Sequence, residues 1–242
     1  MFADLHHHLI YGVDDGPRTF EETQRMIERA SQKGVSVIAA TSHAEPGRAR
    51  FPIETYQSHL RDAQDWCREA GIPLEIVPGA EIFYADNTVR LLEEGQIPTL
   101  NGGRAVLIEF SPGDTYDHIY RAVRTVGNAG YTVIVAHAER YKCLRKLPCI
   151  SELREDLGAY IQINVGTLIA PDGFFDRRWV RKLLEMDACD LAATDAHNTG
   201  SRPCRMQKCY QTLAEECGEE RAQRLCVTTP RRLLGRTDGQ PF

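Results

Sequence analysis

At seven places along the chain, a short apolar run of the kind that forms a buried strand ends at a polar residue, in most cases one able to bind a metal. Successive runs lie roughly 30 residues apart, about the length of one strand followed by one helix. Side chains at the carboxyl ends of parallel strands meet on one face, so distant residues are expected to share one site. The runs and residues are FADL before His6 and His8, SVIAATS before His43, LEIVPGA before Glu81, AVLIE ending on Glu109, YTVIVA before His137, YIQIN ending on Asn164, and CDLAAT before Asp195 and His197.

The spacing of apolar runs and helix signals predicts an alternating α/β chain. Thr19 and Glu22 form a capping box that starts a helix running to about Lys33, and Gly34 stops it. Further helices are predicted over 54–70, 86–94, 116–129, 176–187 and 205–217, with one or two short helices in 219–235. Strands are predicted over 2–6, 35–41, 74–80, 104–110, 131–137, 160–165 and 189–195.

Seven strands joined by helices favour a parallel barrel with right-handed crossovers. Because the usual barrel has eight strands, a distorted or incompletely closed ring is expected. No linker-like or low-complexity stretch divides the 242 residues, and residues 1–242 are predicted to form a single domain.

Composition narrows the class of protein. The hydrophobic content of 42% and charged content of 26% are ordinary for a soluble globular protein. A net charge of −5 argues against a nucleic-acid surface. No apolar run approaches the roughly 20 residues that span a bilayer, and too few residues precede the first motif for a signal peptide. The eight cysteines contain no CxxC pair and are predicted to be reduced thiols, so a cytoplasmic location is expected.

The mixture of imidazole and carboxylate groups is typical of zinc, manganese or iron sites, and not of sites for calcium or magnesium alone. His6 and His8 are two residues apart and are predicted to share one side of a strand, with His7 pointing away. Asp14 or Asp15 of the GVDDGP turn is a further candidate. Each motif alone has an ordinary structural explanation, but the whole set predicts a metalloenzyme.

The order of motifs resembles that of a known family. The matching segments are DLHHHLIYGVDDGPRT, TSH, GAEI, IEF, AHAERY and TDAHN, with TPRRLL near the end. This order resembles the PHP superfamily (polymerase and histidinol phosphatase), and more closely its metal-dependent bacterial protein-tyrosine phosphatases of capsule and exopolysaccharide operons, the CpsB/YwqE type. The resemblance implies a distorted (β/α)7 TIM-like barrel, the PHP fold, that binds three divalent metal ions.

The resemblance also implies a ligand set. One ion would be bound by His6, His8 and Asp195, with Glu81 bridging to a second. The second would use Glu109 and His137, and the third would use Asp15, His43 and His197. Manganese is the favoured ion, with iron or zinc as alternatives, and Asn164 has no assigned role.

The implied activity is hydrolysis of phosphotyrosine in the tyrosine-rich tail of a bacterial tyrosine kinase. A metal-activated hydroxide would attack phosphorus in line. Arg140 and Arg202 are candidates to bind phosphate oxygens through the planar guanidinium group, and Arg48 is a candidate to meet an acidic peptide. His197, Asp195 or a metal-bound water is a candidate to protonate the tyrosyl leaving group.

Two alternatives to this activity remain open. A small-molecule phosphatase, such as a histidinol-phosphate phosphatase, would use the same metal chemistry. A catalytically silent metal-binding module that docks on a partner belongs to a different class. A cysteine-based phosphatase is disfavoured, because the C-x5-R match from Cys226 to Arg232 lacks phosphate-wrapping glycines and Pro230 removes a backbone donor.

Overall fold

The computed structural model describes residues 1–236. Within them, seven parallel strands form one sheet in sequence order, which confirms the predicted α/β barrel in a single domain. The strands are β1 (Phe2–His7), β2 (Val35–Ala44), β3 (Glu75–Phe83), β4 (Ala105–Glu109), β5 (Thr132–Val135), β6 (Tyr160–Asn164) and β7 (Leu191–Ala193).

Hydrogen bonds between the first strand and the segment after the last strand nearly close the barrel at the carboxyl end of its strands. There the Asp195 N–H donates to the carbonyl of His6 at 2.8 Å, and the His8 N–H donates to the carbonyl of Ala196 at 2.9 Å. One strand position further down, the carboxylate of Asp4 accepts from the Thr194 N–H at 3.0 Å. The first and last strands are therefore joined beside the predicted ligands.

The helices fill the connections between strands and follow β7. They are α1 (Phe20–Gln32), α2 (Ile53–Glu69), α3 (Thr88–Glu93), α4 (Tyr116–Asn128), α5 (Leu147–Leu157), α6 (Val165–Ile169), α7 (Gly173–Glu185), α8 (Met206–Cys217), α9 (Glu219–Gln223) and α10 (Thr229–Leu233), with a π-helical turn over 224–228. The Thr19 hydroxyl accepts from the Glu22 N–H as predicted, whereas the Glu22 carboxylate accepts from the N–H of Arg18 and not from that of Thr19.

Two helices were not predicted. In α5 the buried positions are Leu147, Ile150 and Leu153, a narrow stripe in a segment that opens on Pro148 and resembles a loop. The five residues of α6 are too few for a helical periodicity to show. Both helices flank β6 in the sequence, and the patterns there predicted the strand but neither helix.

Several predicted strand boundaries are wrong at the carboxyl end. β2 continues through Ala44, so His43 lies within the strand. β5 ends at Val135 and β7 at Ala193, because His137 and Asp195 have positive φ values of 29° and 52°. A left-handed residue cannot continue the extended strand, so the pairing ends before it. The side chains of His137 and Asp195 therefore do not follow the alternation of the strand residues.

A bulge in β1 explains how this strand contributes to both the core and the site. Asp4 pairs with Ile38 and His7 with Ala40, so two residues, Leu5 and His6, oppose the single residue between those partners. Leu5 packs in the apolar interior of the barrel, and the residue after it reaches the polar end. Without the extra residue, alternation would place only one of them inside.

Two apolar layers enclose the sheet. Inside the barrel, alternate strand residues pack together and Leu233 and Leu234 close the amino-terminal end. Outside, the other set of strand residues packs against the helices. Over residues 1–236, no helix combines the length and apolar content that a membrane crossing requires.

Candidate metal centre

The structure brings all nine predicted ligand residues to the carboxyl end of the barrel. Six strands or the residues directly after them supply eight, and the loop after β1 supplies the ninth. Most of these side chains are buried, whereas Asp15 is 61% exposed. They are His6, His8, Asp15, His43, Glu81, Glu109, His137, Asp195 and His197.

The first group of possible ligand atoms lies deepest. The Nε2 atoms of His6 and His8 are 3.3 Å apart, and each lies 3.1 Å from Oε2 of Glu81. Oδ1 of Asp195 completes the group at 3.4 Å and 3.5 Å from the same two nitrogens. Two imidazole nitrogens and two carboxylate oxygens therefore converge on one point, as zinc or manganese ligands do.

The second group adjoins the first through Glu81. His137 Nε2 lies 2.7 Å from Oε1 of Glu81 and 3.4 Å from Oε1 of Glu109. His43 Nδ1 lies 3.1 Å from Oε2 of Glu81 and 3.8 Å from Oε2 of Glu109. Oε2 of Glu81 faces the first group and His43, and Oε1 faces His137, so the position of Glu81 suits a bridging carboxylate.

The third group lies nearer the surface. Oδ1 of Asp15 is 3.2 Å from Nε2 of His197 and 3.5 Å from Nε2 of His43. The ring of His8 stacks on that of His197 at 3.7 Å between centroids. His8 therefore adjoins both the first and the third group. His43 likewise adjoins the second and third, and the three groups are continuous.

The charges of these side chains are mutually compensated. Burial alone would raise the pKa of Glu81, but the imidazoles of His6, His137 and His8 hold it well below its usual range. Burial lowers the pKa of His137, yet hydrogen bonds to Glu109 and Glu81 raise it to about 9. Against the effect of burial, the carboxylates around His8 likewise raise its pKa, and a cation bound here would replace the protons that His8 and His137 carry.

His197 behaves differently from its neighbours. Burial and the charge of His8 lower its pKa to about 4, so its imidazole is neutral at pH 7. Its Nε2 is buried and lies 3.2 Å from Asp15 without the geometry of a hydrogen bond. The lone pair of this nitrogen is therefore available to a ligand.

Asp14, the neighbour of a predicted ligand, serves as an orienting group. Its Oδ2 lies 2.8 Å from Nδ1 of His8 and also accepts from the backbone N–H of His43 at 3.0 Å. Burial opposes ionisation, but these partners lower the pKa of Asp14 to about 2. Gly16 is required beside it, because a Cβ at that position would lie 2.8 Å from the carbonyl of His8.

His7 points away from the cluster, as expected. Its Nδ1 lies 3.1 Å from Oδ2 of Asp4, which also accepts from the hydroxyl of Thr194. The side chain is buried and joins the contact between the first and last strands. Its position is structural and lies behind the candidate ligands.

Two arginines flank Asp195 at the mouth of the site. Arg140 donates from Nη2 to Oδ2 at 2.5 Å, and Arg202 donates from Nη2 to Oδ1 at 2.8 Å. Both side chains are 40% exposed, so each guanidinium has one edge on the carboxylate and another toward solvent. This arrangement favours binding of a second anion between them.

Arg48 lies farther out, above a neighbouring strand. Its guanidinium carbon is 4.8 Å from the ring centroid of Phe83, and its Nη1 pairs with Glu45 at 3.4 Å. Phe83 pairs with Glu109 across the sheet, which places the arginine beside the cluster but not within it. A cavity of about 380 Å³ opens along this loop.

Fold and site together define a TIM-like barrel protein with a candidate multinuclear metal centre. A family model described as capsular polysaccharide synthesis, CpsB/CapC, matches residues 2–235. The chain belongs to the CpsB/CapC family, which confirms the resemblance of its motifs.

Characterised relatives are similar over nearly the whole chain. Tyrosine-protein phosphatase CpsB of Streptococcus pneumoniae is 34% identical over 238 residues, covering 96% of this chain and 97% of that protein. Tyrosine-protein phosphatase YwqE of Bacillus subtilis is 28% identical over 225 residues, covering 90% and 85%. A crystal structure from work on YwqE and CpsB, described as metal-dependent tyrosine phosphatases, has a TM-score of 0.87 at 25% identity and covers 99% of both chains.

Sequence reasoning missed Gln162 and noted Asn164 at the end of its apolar run without assigning it a role. Gln162 is fully buried and contacts His6 and the backbone of His137, and Asn164 contacts Asp195. The available signal was their spacing of two on β6, which puts both on one side of a strand. Neutral amides do not stand out as metal ligands, so this pattern was passed over.

Proposed function

We propose that this protein is a metal-dependent protein-tyrosine phosphatase. It removes phosphate from the phosphorylated tyrosine-rich tail of a bacterial tyrosine kinase, in the control of capsular or exopolysaccharide synthesis. The observation that carries the proposal is the pair Arg140 and Arg202, which holds Asp195 at the edge of a histidine–carboxylate cluster. Relatives named tyrosine-protein phosphatases support the substrate class.

The cluster fits divalent metal ions by its own chemistry. Two Nε2 atoms facing each other at 3.3 Å, with carboxylate oxygens beside both, form a set of lone pairs that a cation satisfies. The proposed partition assigns His6, His8 and Asp195 to one ion, Glu109 and His137 to a second with Glu81 bridging, and Asp15, His43 and His197 to a third. The three contiguous groups support three ions. Manganese is the proposed ion, and iron and zinc, which also accept nitrogen and oxygen ligands, are the alternatives.

The residues of the chain have distinct roles in this mechanism. Bound divalent cations would supply an activated water and neutralise phosphate charge. Arg140 and Arg202 would bind the non-bridging phosphate oxygens and orient phosphorus for in-line attack. The lowered pKa values of His197 and Asp195 keep both groups unprotonated at neutral pH, which suits them to metal binding and leaves them without a proton to donate. A tyrosyl phenolate leaves with little acid assistance, so this is no obstacle.

Chelation separates the metal mechanism from a thiol mechanism. We expect a strong chelator to abolish hydrolysis of a phosphotyrosine peptide, and manganese to restore it. The Cys226→Ser variant is expected to keep wild-type kcat, because this thiol is fully buried. Chelator-resistant activity that disappears in the Cys226→Ser variant would contradict the proposal.

Substrate preference separates the phosphatase from its alternatives. The same preparation is assayed on a phosphotyrosine peptide and on histidinol phosphate, and a higher kcat/KM on the peptide is expected. A preference for histidinol phosphate would replace the proposed function by a small-molecule phosphatase. If the metal-loaded protein hydrolyses neither, a silent binding module is the better description.

Arg48 is proposed to meet acidic residues that flank the phosphotyrosine. We expect Arg48→Met to raise KM for an acidic phosphopeptide about 3–5-fold, as an exposed ion pair is worth up to about 1 kcal/mol, while kinetics on phenyl phosphate stay unchanged. Arg68→Met is the control, since Arg68 is also exposed and pairs with an acid three residues away on α2. Equal KM values for the two variants would remove Arg48 from the binding surface.

We also propose that the protein acts in the cytoplasm. All eight cysteines are free thiols, as in a reducing compartment. Cell fractionation tests this location, and recovery of the protein outside the cytoplasm would contradict it.

A further inference from the structure

β6 is the strand that contributes no predicted metal ligand, yet its side chains reach the centre of the site. Gln162 and Asn164 are two residues apart on the strand and point to the same side. Gln162 is fully buried, and both amides are hydrogen-bonded to residues that follow the neighbouring strands β5 and β7. A buried polar chain of this kind persists where each member is satisfied.

The hydrogen bonds of Gln162 fix its own orientation. Oε1 accepts from the backbone N–H of His137 at 2.7 Å, which identifies it as the oxygen. The same atom lies 3.2 Å from Nδ1 of His6, and because an amide oxygen only accepts, this nitrogen must carry the proton. His6 is thereby left with an unprotonated Nε2, which faces the cluster.

The chain continues from Gln162 to the far side of the site. Nε2 of Gln162 donates to Oδ1 of Asn164 at 2.8 Å, and Nδ2 of Asn164 donates to Oδ2 of Asp195 at 2.9 Å. That carboxylate oxygen is also the one bound by Arg140. Each amide therefore donates to the next group, from Gln162 to Asn164 and from Asn164 to the Asp195 carboxylate that lies between the two arginines.

The two residues held by this chain have unfavourable backbone conformations. His137 and Asp195 are non-glycine residues with φ values of 29° and 52°, and they follow the strands on either side of β6. Such conformations are uncommon for residues other than glycine and persist where surrounding contacts determine them. Gln162 binds the backbone of the first and Asn164 the side chain of the second.

We propose that Gln162 and Asn164 are positioning residues of the metal centre. Gln162 keeps His6 in the Nδ1–H tautomer and holds His137 in its left-handed conformation, and Asn164 orients Asp195 toward the cluster. The role resembles that of the carboxylate or carbonyl that commonly orients a metal-binding histidine. The inference rests on the proposed function, since it assumes that His6 and Asp195 bind metal.

Gln162→Met removes all hydrogen bonds of this side chain, those to His6 and His137 and that to Asn164, because methionine fills a similar volume without a polar group. We expect zinc affinity, measured by competition with a chelator, to fall about 10–100-fold. In long-range proton–nitrogen spectra of zinc-loaded protein, the Nδ1–H signal of His6 is expected to disappear. The control is Gln64→Met, which removes a partly buried amide that bonds the carbonyl of Ile76 on the outer face.

Two further variants separate positioning from a general loss of structure. Gln162→Glu retains the acceptor, so it is expected to restore the His6 signal that the methionine variant loses. Asn164→Ala is expected to leave that signal intact and to lower kcat through Asp195. If Gln162→Met folds poorly, the retained His6 signal expected in Gln162→Glu and the lowered kcat expected in Asn164→Ala still test the inference.

Zinc affinity and kcat of Gln162→Met and Asn164→Ala within twofold of the Gln64→Met values would overturn the inference. An unchanged His6 signal in Gln162→Met would do the same. If the wild-type protein bound no metal or cleaved no phosphomonoester, the proposed function would fail instead. Normal wild-type behaviour beside unaffected β6 variants would remove only the positioning role.

Discussion

Asp195→Asn is expected to lower kcat on a phosphotyrosine peptide by about 10³-fold or more, since residues that act as one catalytic unit lose most of their effect together. The carboxylate is 3% exposed and lies within 3.5 Å of the Nε2 atoms of His6 and His8. It also receives hydrogen bonds from Arg140 and Arg202. The asparagine side chain lacks the negative charge that the carboxylate offers to a metal, and its NH2 group faces at least one guanidinium that needs an acceptor.

The same variant is expected to lose metal. Elemental analysis of the purified protein should show fewer ions bound than in the wild type, because a charged ligand of the deepest group is gone. Kinetics at saturating manganese then separate a loss of occupancy from a loss of chemistry. We expect added manganese to restore occupancy further than it restores kcat, since the arginines remain displaced.

Asp190→Asn is the matched control at the opposite end of the same strand. Asp190 binds the guanidinium of Arg154 through two hydrogen bonds of 2.9 Å and accepts from the Ile161 N–H. Its replacement should lower the free energy of unfolding while leaving metal content and kcat close to wild type. If both variants had the same kcat and metal content, Asp195 would have no special role in the site.

Most of the site was predictable because its signal is local. An apolar run followed by histidine, aspartate or glutamate marks a strand and its end together. In a parallel barrel, these strand ends all meet on one face. His6, His43, Glu81 and Glu109 were placed in this way, and the structure brings them together.

The remaining features depend on tertiary contacts that periodicity does not record. The β1 bulge that lets Leu5 and His6 both turn inward needs one extra residue opposite β2. The left-handed backbone of His137 and Asp195 lies beside tertiary hydrogen bonds, from the His137 N–H to Gln162 and from the Asp195 N–H to the carbonyl of His6, which no local pattern records. Gln162 was overlooked and Asn164 was left without a role, because a neutral side chain acquires its role from the groups around it.

Arg140→Lys is expected to lower kcat/KM on a phosphotyrosine peptide about 10²-fold while metal content stays at the wild-type level. Removal of one preorganised donor from a developing charge typically costs roughly 10²–10³-fold. Lysine retains the positive charge but not the planar fork, so it cannot bind Asp195 and a phosphate oxygen in the same geometry. Burial of the guanidinium would lower the pKa of Arg140, but the charges of Asp195 and Glu139 raise it, so the group stays protonated.

Arg154→Lys is the control for Arg140→Lys. Arg154 also binds one aspartate, at the opposite end of the barrel, and is partly buried. This variant should lose stability without losing kcat/KM, whereas Arg140→Lys should do the reverse. Addition of guanidinium ion to Arg140→Ala offers a second readout, because an unattached fork of the same shape should recover part of the lost rate. Unchanged kcat/KM in Arg140→Lys, or a loss that follows metal content, would assign Arg140 to holding Asp195 and leave phosphate binding to Arg202.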